Sequence, residues 1–252
     1  MVTTVGPMTR YDTIGRTYRA TRRADPHIER QIHAALGGAR SVVNVGAGTG
    51  SYEPTDCFVA AVEPSPVMVA QRAPGGGPVV RGVAADLPFP ADTFDAALAC
   101  LTIHHWPDWR AGIAEIRRVA SRVVVFTWDP DMERDFWLVD GYLPELAGTT
   151  ATDGPPLEEI VEALGGARIE PVPIPADCAD GFFAAFWARP EAYLDPTVHA
   201  GISCLTLFDG VSLRAGMARL EADLASGAWD ARHGALRDQP AYDGGYRLVV
   251  SD

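Results

Sequence analysis

The sequence predicts an α/β fold built on a doubly wound parallel sheet, with a helical insertion before its last strand. Three observations carry this. A β-branched run, Ser41 to Val45, ends in glycines spaced two apart at Gly46, Gly48 and Gly50. Buried parallel strands read as such runs, and glycines just past a strand let the backbone turn sharply and approach a ligand. Short apolar strands then alternate with amphipathic helices to about residue 128, the signature of successive βαβ units. Beyond that the pattern loosens into a long helical block before a final strand.

The elements follow in order. Residues 26–37 read as a helix: Ile28, Ile32, Ala35 and Leu36 share one face, and Gly37-Gly38 ends it. Strand one is 41–45 and strand two about 58–63. A short helix starts at Pro66, proline suiting a first helical turn. After a turn from Pro74 to Pro78, Val79 to Gly82 makes a short third strand. Phe94 to Leu101 is a fourth strand. Trp109 to Val119 is a helix that turns Ile113, Ile116 and Val119 inward, and Arg122 to Thr127 is a fifth strand. A helix at about 156–164 closes on Gly165-Gly166, and Ile169 to Ile174 reads as a proline-flanked edge strand. Residues 179–187 are aromatic-rich, helices follow at about 196–208 and 211–227, and Tyr246 to Val250 is the last strand. The block between the last two strands is too long for a hairpin. It reads as an insertion over the carboxyl edge of the sheet, where ligands bind in such folds.

Composition narrows the function. The chain has 252 residues, 47% apolar and 21% charged, enough to bury a full core without disulfide or metal staples. A net charge of −12 argues against a nucleic-acid binder, which needs basic patches. No apolar run approaches the ~18 residues of a membrane span, and Met1 to Arg10 lacks a signal-peptide core. Cytoplasmic location is the expectation. Cys57, Cys100, Cys178 and Cys204 lack metal spacing and read as packing residues. All 21 basic residues are arginine. That removes Schiff-base chemistry, pyridoxal-phosphate anchoring and the phosphate-loop lysine.

The motifs separate two cofactor classes. Dinucleotide sites use G-x-G-x-x-G, but Ser51 follows Gly50, so the match here is G-x-G-x-G. Glu63 ends strand two, 13 residues past Gly50, where a carboxylate can accept both hydroxyls of a ribose or simply precede a turn. Asp86, in Ala84-Ala85-Asp86-Leu87-Pro88-Phe89, can accept from an adenine amine or form a turn. Thr102-Ile103-His104-His105-Trp106-Pro107 follows strand four. His104 or His105 suits a general base near neutral pH, or merely positions a ligand. Trp106, and Trp128-Asp129 after strand five, point to the substrate side, with helix capping the other account of Asp129. Phe182 and Phe183 either form an aromatic lid over an apolar substrate or pack the core.

Together these pieces resemble the class I S-adenosylmethionine-dependent methyltransferases, in the small-molecule group typified by ubiquinone-pathway and trans-aconitate methyltransferases. The resemblance covers about residues 8–128. It implies a seven-stranded Rossmann-like sheet of order 3-2-1-4-5-7-6 with the last-formed strand antiparallel. It places Gly46-Ala47-Gly48-Thr49-Gly50 against the methionine part of S-adenosyl-L-methionine, and Glu63 on the ribose with Pro64 and Met68 beside it. Ala85-Asp86-Leu87 would frame the adenine, and the Leu101 backbone would accept from the methionine amine. The stretch from Tyr11 to Pro26 would be a closing lid, with Tyr11 and Tyr18 lining it and Arg22, rather than Arg23, pairing with the cofactor carboxylate. One departure stands out: the family commonly has an acid where this chain has Asn44. The expected organisation is one methyltransferase domain over 1–252. Lid helices occupy 8–38, the cofactor-binding half 41–128, and a helical insertion or substrate lid 176–243.

The expected activity is methyl transfer to a small molecule, with an oxygen acceptor favoured over carbon or nitrogen, in secondary metabolism, with S-adenosyl-L-homocysteine as product. The chain would be a monomer or homodimer, with no metal, nucleic-acid or membrane partner. A competing expectation is a chain that binds S-adenosylmethionine for cyclisation, elimination or as a binding module. A nicotinamide-dependent dehydrogenase is a third, disfavoured by Ser51.

Overall fold

The structure is a computed structural model that describes residues 11–15, 18–147 and 154–252. Residues 8–10, 16 and 17 of the expected lid lie outside the described residues. Helices α1 (Tyr11–Ile14), α2 (Tyr18–Thr21) and α3 (Pro26–Ala35) precede the sheet. Strand β1 (Ser41–Val45) pairs in parallel with β2 (Phe58–Val62) and β4 (Phe94–Cys100). Strand β3 (Val79–Val80) extends the sheet beyond β2, and β5 (Ala120–Trp128) beyond β4. The last strand, β9 (Tyr246–Ser251), runs antiparallel between β5 and β6 (Arg168–Pro171). The order is β3-β2-β1-β4-β5-β9-β6. Since β9 is the seventh strand of this sheet in chain order, this is the order the resemblance implies.

The strands look continuously apolar because both faces of the sheet are covered. Successive side chains alternate sides. Val42, Leu98, Val124, Phe126 and Leu248 pack with Ile28 and Ile32 of α3 on one face. Val43, Val45, Ala97, Val125 and Val249 pack on the other with α5 (Trp109–Val119) and α8 (Leu157–Ala163). Each such side chain contributes roughly 1.5–3 kcal/mol on burial. Helix α3 begins where the Asp25 carboxylate accepts from the amides of His27 and Ile28, at 2.8 and 3.2 Å. Asp25 is itself buried, and its other oxygen accepts from the Ala179 amide at 2.9 Å. One cap therefore ties the amino-terminal segment to the insertion.

The structure departs from the sequence expectations in three places. The helix expected at 196–208 is two, α9 (Pro196–Gly201) and α10 (Ser203–Leu207). The break is tertiary: Ile202 is buried with an extended backbone, and Gly201 lies so close to Thr21 that a Cβ would stand 1.9 Å from its Oγ1. The edge strand expected at 169–174 divides after β6, and β7 (Ile174–Pro175) pairs with β8 (Ala241–Tyr242) in a separate two-stranded sheet. Pro171 and Pro173 have no N–H with which to continue the first ladder. Finally, helices α6 (Pro130–Arg134) and α7 (Trp137–Tyr142) occupy a stretch with no element assigned from sequence. At five and six residues they are too short to show a helical period.

Candidate active site

At the carboxyl end of β1 the chain turns into its glycine loop. The Gly46 and Ala47 amides donate to the Val62 carbonyl of β2 at 2.9 and 3.1 Å. Gly46 has φ +69°, and a Cβ there would stand 2.0 Å from Thr102 Oγ1 beyond β4. Glycine is thus required both by backbone hand and by the close approach of two strand ends. The Gly48 amide donates to Glu63 Oε2 and the Ser65 amide to Glu63 Oε1, each at 2.8 Å. Gly50 closes the loop by donating to the Ala47 carbonyl at 2.9 Å. Burial raises the Glu63 carboxyl above its ordinary range, and the Ser65 and Gly48 amides oppose that shift. The two amides aim Glu63 while leaving each oxygen a further lone pair. Met68 of α4 (Pro66–Val69) lies buried under Gly48, and the Pro64 carbonyl accepts from Arg81 at 3.3 Å.

Beneath the loop, Asn44 donates from Nδ2 to Glu53 Oε1 at 2.9 Å. Both Glu53 oxygens also accept from one terminal nitrogen of Arg72, at 2.8 and 2.6 Å. The acid missing at position 44 therefore has a counterpart one side chain away, and Arg72 neutralises it. Ala85 and Asp86 are exposed while Leu87 is buried. Helix α5 holds that segment: the Leu87 amide donates to Glu115 at 2.9 Å and its carbonyl accepts from Arg118 at 3.1 Å. Leu101, just past β4, takes a left-handed φ of +48° and donates its amide to the Phe126 carbonyl at 2.8 Å. For a leucine that conformation costs about 1–2 kcal/mol. Leu101 thus joins the glycine loop and Glu63 along one edge of the sheet.

The amino-terminal helices cover this edge. Arg22 points inward and Arg23 is exposed. Arg22 Nε donates to Asp180 Oδ1 at 2.7 Å, one terminal nitrogen reaches Oδ2 at 3.2 Å, and the other donates to the Tyr18 hydroxyl at 2.7 Å. Tyr52 donates to the same Asp180 carboxylate at 2.9 Å. Burial alone would lower the Arg22 pKa, but the Asp180 carboxylate beside it raises it well above the ordinary value. Those bonds use three of the five guanidinium N–H groups. The arginine expected on a cofactor carboxylate is therefore already a clasp between α2 and the insertion, with two N–H groups to offer. The Tyr11 hydroxyl is 2.8 Å from His105 Nε2, and its ring meets Tyr18 edge-on at 5.7 Å.

Behind this cover lies a partly open pocket. Its lining includes Tyr11, Arg22, Leu101, His104, Trp128, Phe182, Phe183 and Tyr246. His104 is 4.4 Å from the Trp128 ring, and Phe182 is 4.5 Å from the Tyr246 ring, centroid to centroid. His104 thus faces the pocket while His105 contacts the lid. Two residues expected on the substrate side are placed elsewhere. Trp106 packs against Gly112 of α5 and donates from Nε1 to Thr102 Oγ1 at 3.2 Å. Asp129 caps α6, accepting from the Asp131 amide at 3.0 Å. One helical turn on, Glu133 is the acid that lines the pocket. It is 8% exposed, and burial pushes its carboxyl up to about 8, the Trp128 indole pulling weakly the other way. Sequence reasoning missed Glu133. The available signal was Asp129-Pro130 as a helix start, which sets the residue four past the cap back over the same strand end.

Residues 43–125 match the family described as Methyltransferase domain. A crystal structure from Anabaena variabilis ATCC 29413, described as a candidate methyltransferase from an antibiotic biosynthesis pathway, is 31% identical with a TM-score of 0.85. That match covers 92% of this chain and 98% of the other. A 2-methyl-6-phytyl-1,4-hydroquinone methyltransferase of Oryza sativa subsp. japonica is 35% identical over 109 residues, 38% of this chain and 31% of that one. The uncharacterized methyltransferase YcgJ of Bacillus subtilis is 31% identical over 115 residues, 46% of this chain and 38% of that one. The matched region thus spans about a third of the length of these curated relatives. The full-length structural match, the strand order and the glycine loop with its acid agree: the chain belongs to the class I S-adenosylmethionine-dependent methyltransferases.

Proposed function

We propose that this chain transfers a methyl group from S-adenosyl-L-methionine to a small molecule, with oxygen the favoured acceptor, in secondary metabolism. The observation that carries it is the carboxyl edge of the sheet, where Gly46, Gly48, Glu63 and Leu101 converge beside an aromatic pocket that shares Leu101 and Arg22. The residues present fit the cofactor. The aimed Glu63 carboxylate, held by the Gly48 and Ser65 amides, suits a ribose diol. The two remaining Arg22 N–H groups suit a carboxylate, and the exposed Asp86 suits an adenine amine. When bound, S-adenosylmethionine supplies an electrophilic methyl carbon on a sulfonium. The chain's own residues would position and desolvate. Tyr11, Tyr18 and Arg22 close over the edge, and the ring-lined pocket excludes water from the acceptor.

The Anabaena relative's description supports secondary metabolism, and the −12 charge supports a small-molecule rather than nucleic-acid substrate. We read the chain as a cytoplasmic monomer or homodimer. Among the described residues no helix is long and apolar enough to cross a membrane. Two measurements test the reading. Calorimetry should show binding of S-adenosylhomocysteine. Labelled methyl from S-adenosylmethionine should reach an acceptor drawn from phenols, hydroxy acids and amines, and Gly48→Arg should abolish that transfer. Absence of S-adenosylhomocysteine binding would refute it; binding with no transfer would favour a cofactor-dependent cyclase, eliminase or binding module.

A further inference from the structure

The pocket wall is apolar over Phe182, Phe183, Ile202 and the Tyr246 ring, but two of its polar atoms are unusual. Glu133 Oε2 and Trp128 Nε1 are both buried, and although the indole stands near enough to pull the carboxyl's pKa down, neither atom makes a well-formed hydrogen bond among the described residues. Native proteins rarely leave such atoms unsatisfied, and a ligand is a standard explanation. With Glu133 ionised, as it is above pH about 8, one of these atoms accepts and the other only donates. Their complement is a group that gives one hydrogen bond and takes one. A hydroxyl does both. An ammonium has no lone pair for the indole, and an ether has no proton for the carboxylate.

We propose that Glu133 and Trp128 together hold the hydroxyl of the acceptor, so that the pocket takes a ring-bearing, otherwise apolar molecule with one hydroxyl at its reacting end. This rests on the methyl-transfer reading of the site.

The same pair handles the proton. It passes from the acceptor oxygen to Glu133 Oε2, and the O–H electron pair stays on the acceptor oxygen. The other titratable groups facing this pocket are Tyr11, Arg22, His104, Cys204 and Tyr246. The cation among them, Arg22, is paired with Asp180 and so does not neutralise Glu133. With its carboxyl pushed up to about 8 by burial, Glu133 takes a proton from a phenol-like hydroxyl (pKa about 10) across a gap of only ~2 pKa units. An ordinary glutamate would face a gap of ~6 units. Proton acceptance is more efficient when the two values are close.

The test uses three ring probes on the full chain with saturating S-adenosylhomocysteine at pH about 9, where Glu133 is ionised: 2-naphthol, 2-methoxynaphthalene and 2-(aminomethyl)naphthalene, each titrated by calorimetry. 2-Naphthol should bind at least about tenfold tighter than either comparator, a difference of ~1.4 kcal/mol. Glu133→Met should reduce that preference to less than about threefold while S-adenosylhomocysteine affinity stays within about twofold, showing that the variant is folded. As a second readout, the infrared carbonyl band of a protonated buried carboxyl should fade in the parent protein as pH passes about 8. It should be missing in Glu133→Gln. Equal binding of the ether or amine, survival of the preference in Glu133→Met, or binding of S-adenosylhomocysteine but of no probe would overturn the proposal. Failure of S-adenosylhomocysteine itself to bind would instead remove the methyl-transfer reading on which it rests.

Discussion

Replacing Gly46 by alanine tests the close approach of β1 and β4 that shapes the glycine loop. The native φ of +69° is left-handed, which costs an L-residue about 1–2 kcal/mol. The new Cβ would stand 2.0 Å from Thr102 Oγ1, so that side chain must move. Overpacking of this kind costs roughly 1–3 kcal/mol. Moving Oγ1 also breaks its bond from Trp106 Nε1, now 3.2 Å long, for about 1 kcal/mol more. The total is roughly 3–6 kcal/mol, a large share of a typical stability of ~5–15 kcal/mol. In a chain of this size each kcal/mol moves Tm by about 2–4 °C, so a drop on the order of 6–24 °C is expected in thermal melts, with a matching fall in the urea midpoint. Adding Thr102→Ala should recover roughly 1–2 kcal/mol, because it removes the Oγ1 and Cγ2 contacts but leaves the Thr102 Cβ 2.9 Å away and the backbone strain in place. A Gly46→Ala protein within about 1 kcal/mol of the parent, or a double variant with no recovery, would refute the close-approach argument.

Other predictions follow from the same geometry. The Glu133 carboxyl rises from 4.5 to about 8 on folding, so its stability contribution is complete below pH ~4.5 and is lost as pH rises through about 8. The ceiling on that loss is on the order of 5 kcal/mol, so Glu133→Gln should gain several kcal/mol on the parent between pH 5 and 9 in urea titrations; a pH-independent difference would contradict this. Asp180→Ala strands the buried Arg22 charge and the Tyr52 hydroxyl, and should cost about 3–5 kcal/mol, far more than loss of the exposed Arg134–Asp131 pair. Asn44→Asp sets a carboxylate against Glu53 in place of a donor and should destabilise the protein in urea titrations at pH 8; a variant as stable as the parent would contradict this. Glu63→Gln should weaken S-adenosylhomocysteine binding by about tenfold or more, whereas Trp106→Phe should leave it within about twofold.

Local chemistry made much of this protein legible in advance. A strand buried on both faces must be apolar throughout, so β1, β2, β4 and β5 could be read from short windows of sequence. Gly46 and Gly48 announced a left-handed backbone that other residues adopt only at a cost, and Glu63 stood at the end of the neighbouring strand. The arrangement of lid and pocket was not local. Arg22 was legible as inward-facing through its resemblance to the family, but its pairing with Asp180 joins residues 158 positions apart. The break at Ile202 exists because Gly201 must fit against Thr21, a contact no helical period encodes. Asp129 and Glu133 show the same division. The sequence by itself determined that an acid-bearing turn follows β5. Only the tertiary structure decided which acid faces the pocket, because α6 places Asp129 as its cap and turns Glu133 toward Trp128, and the packing around them removes the water that would keep a glutamate ordinary.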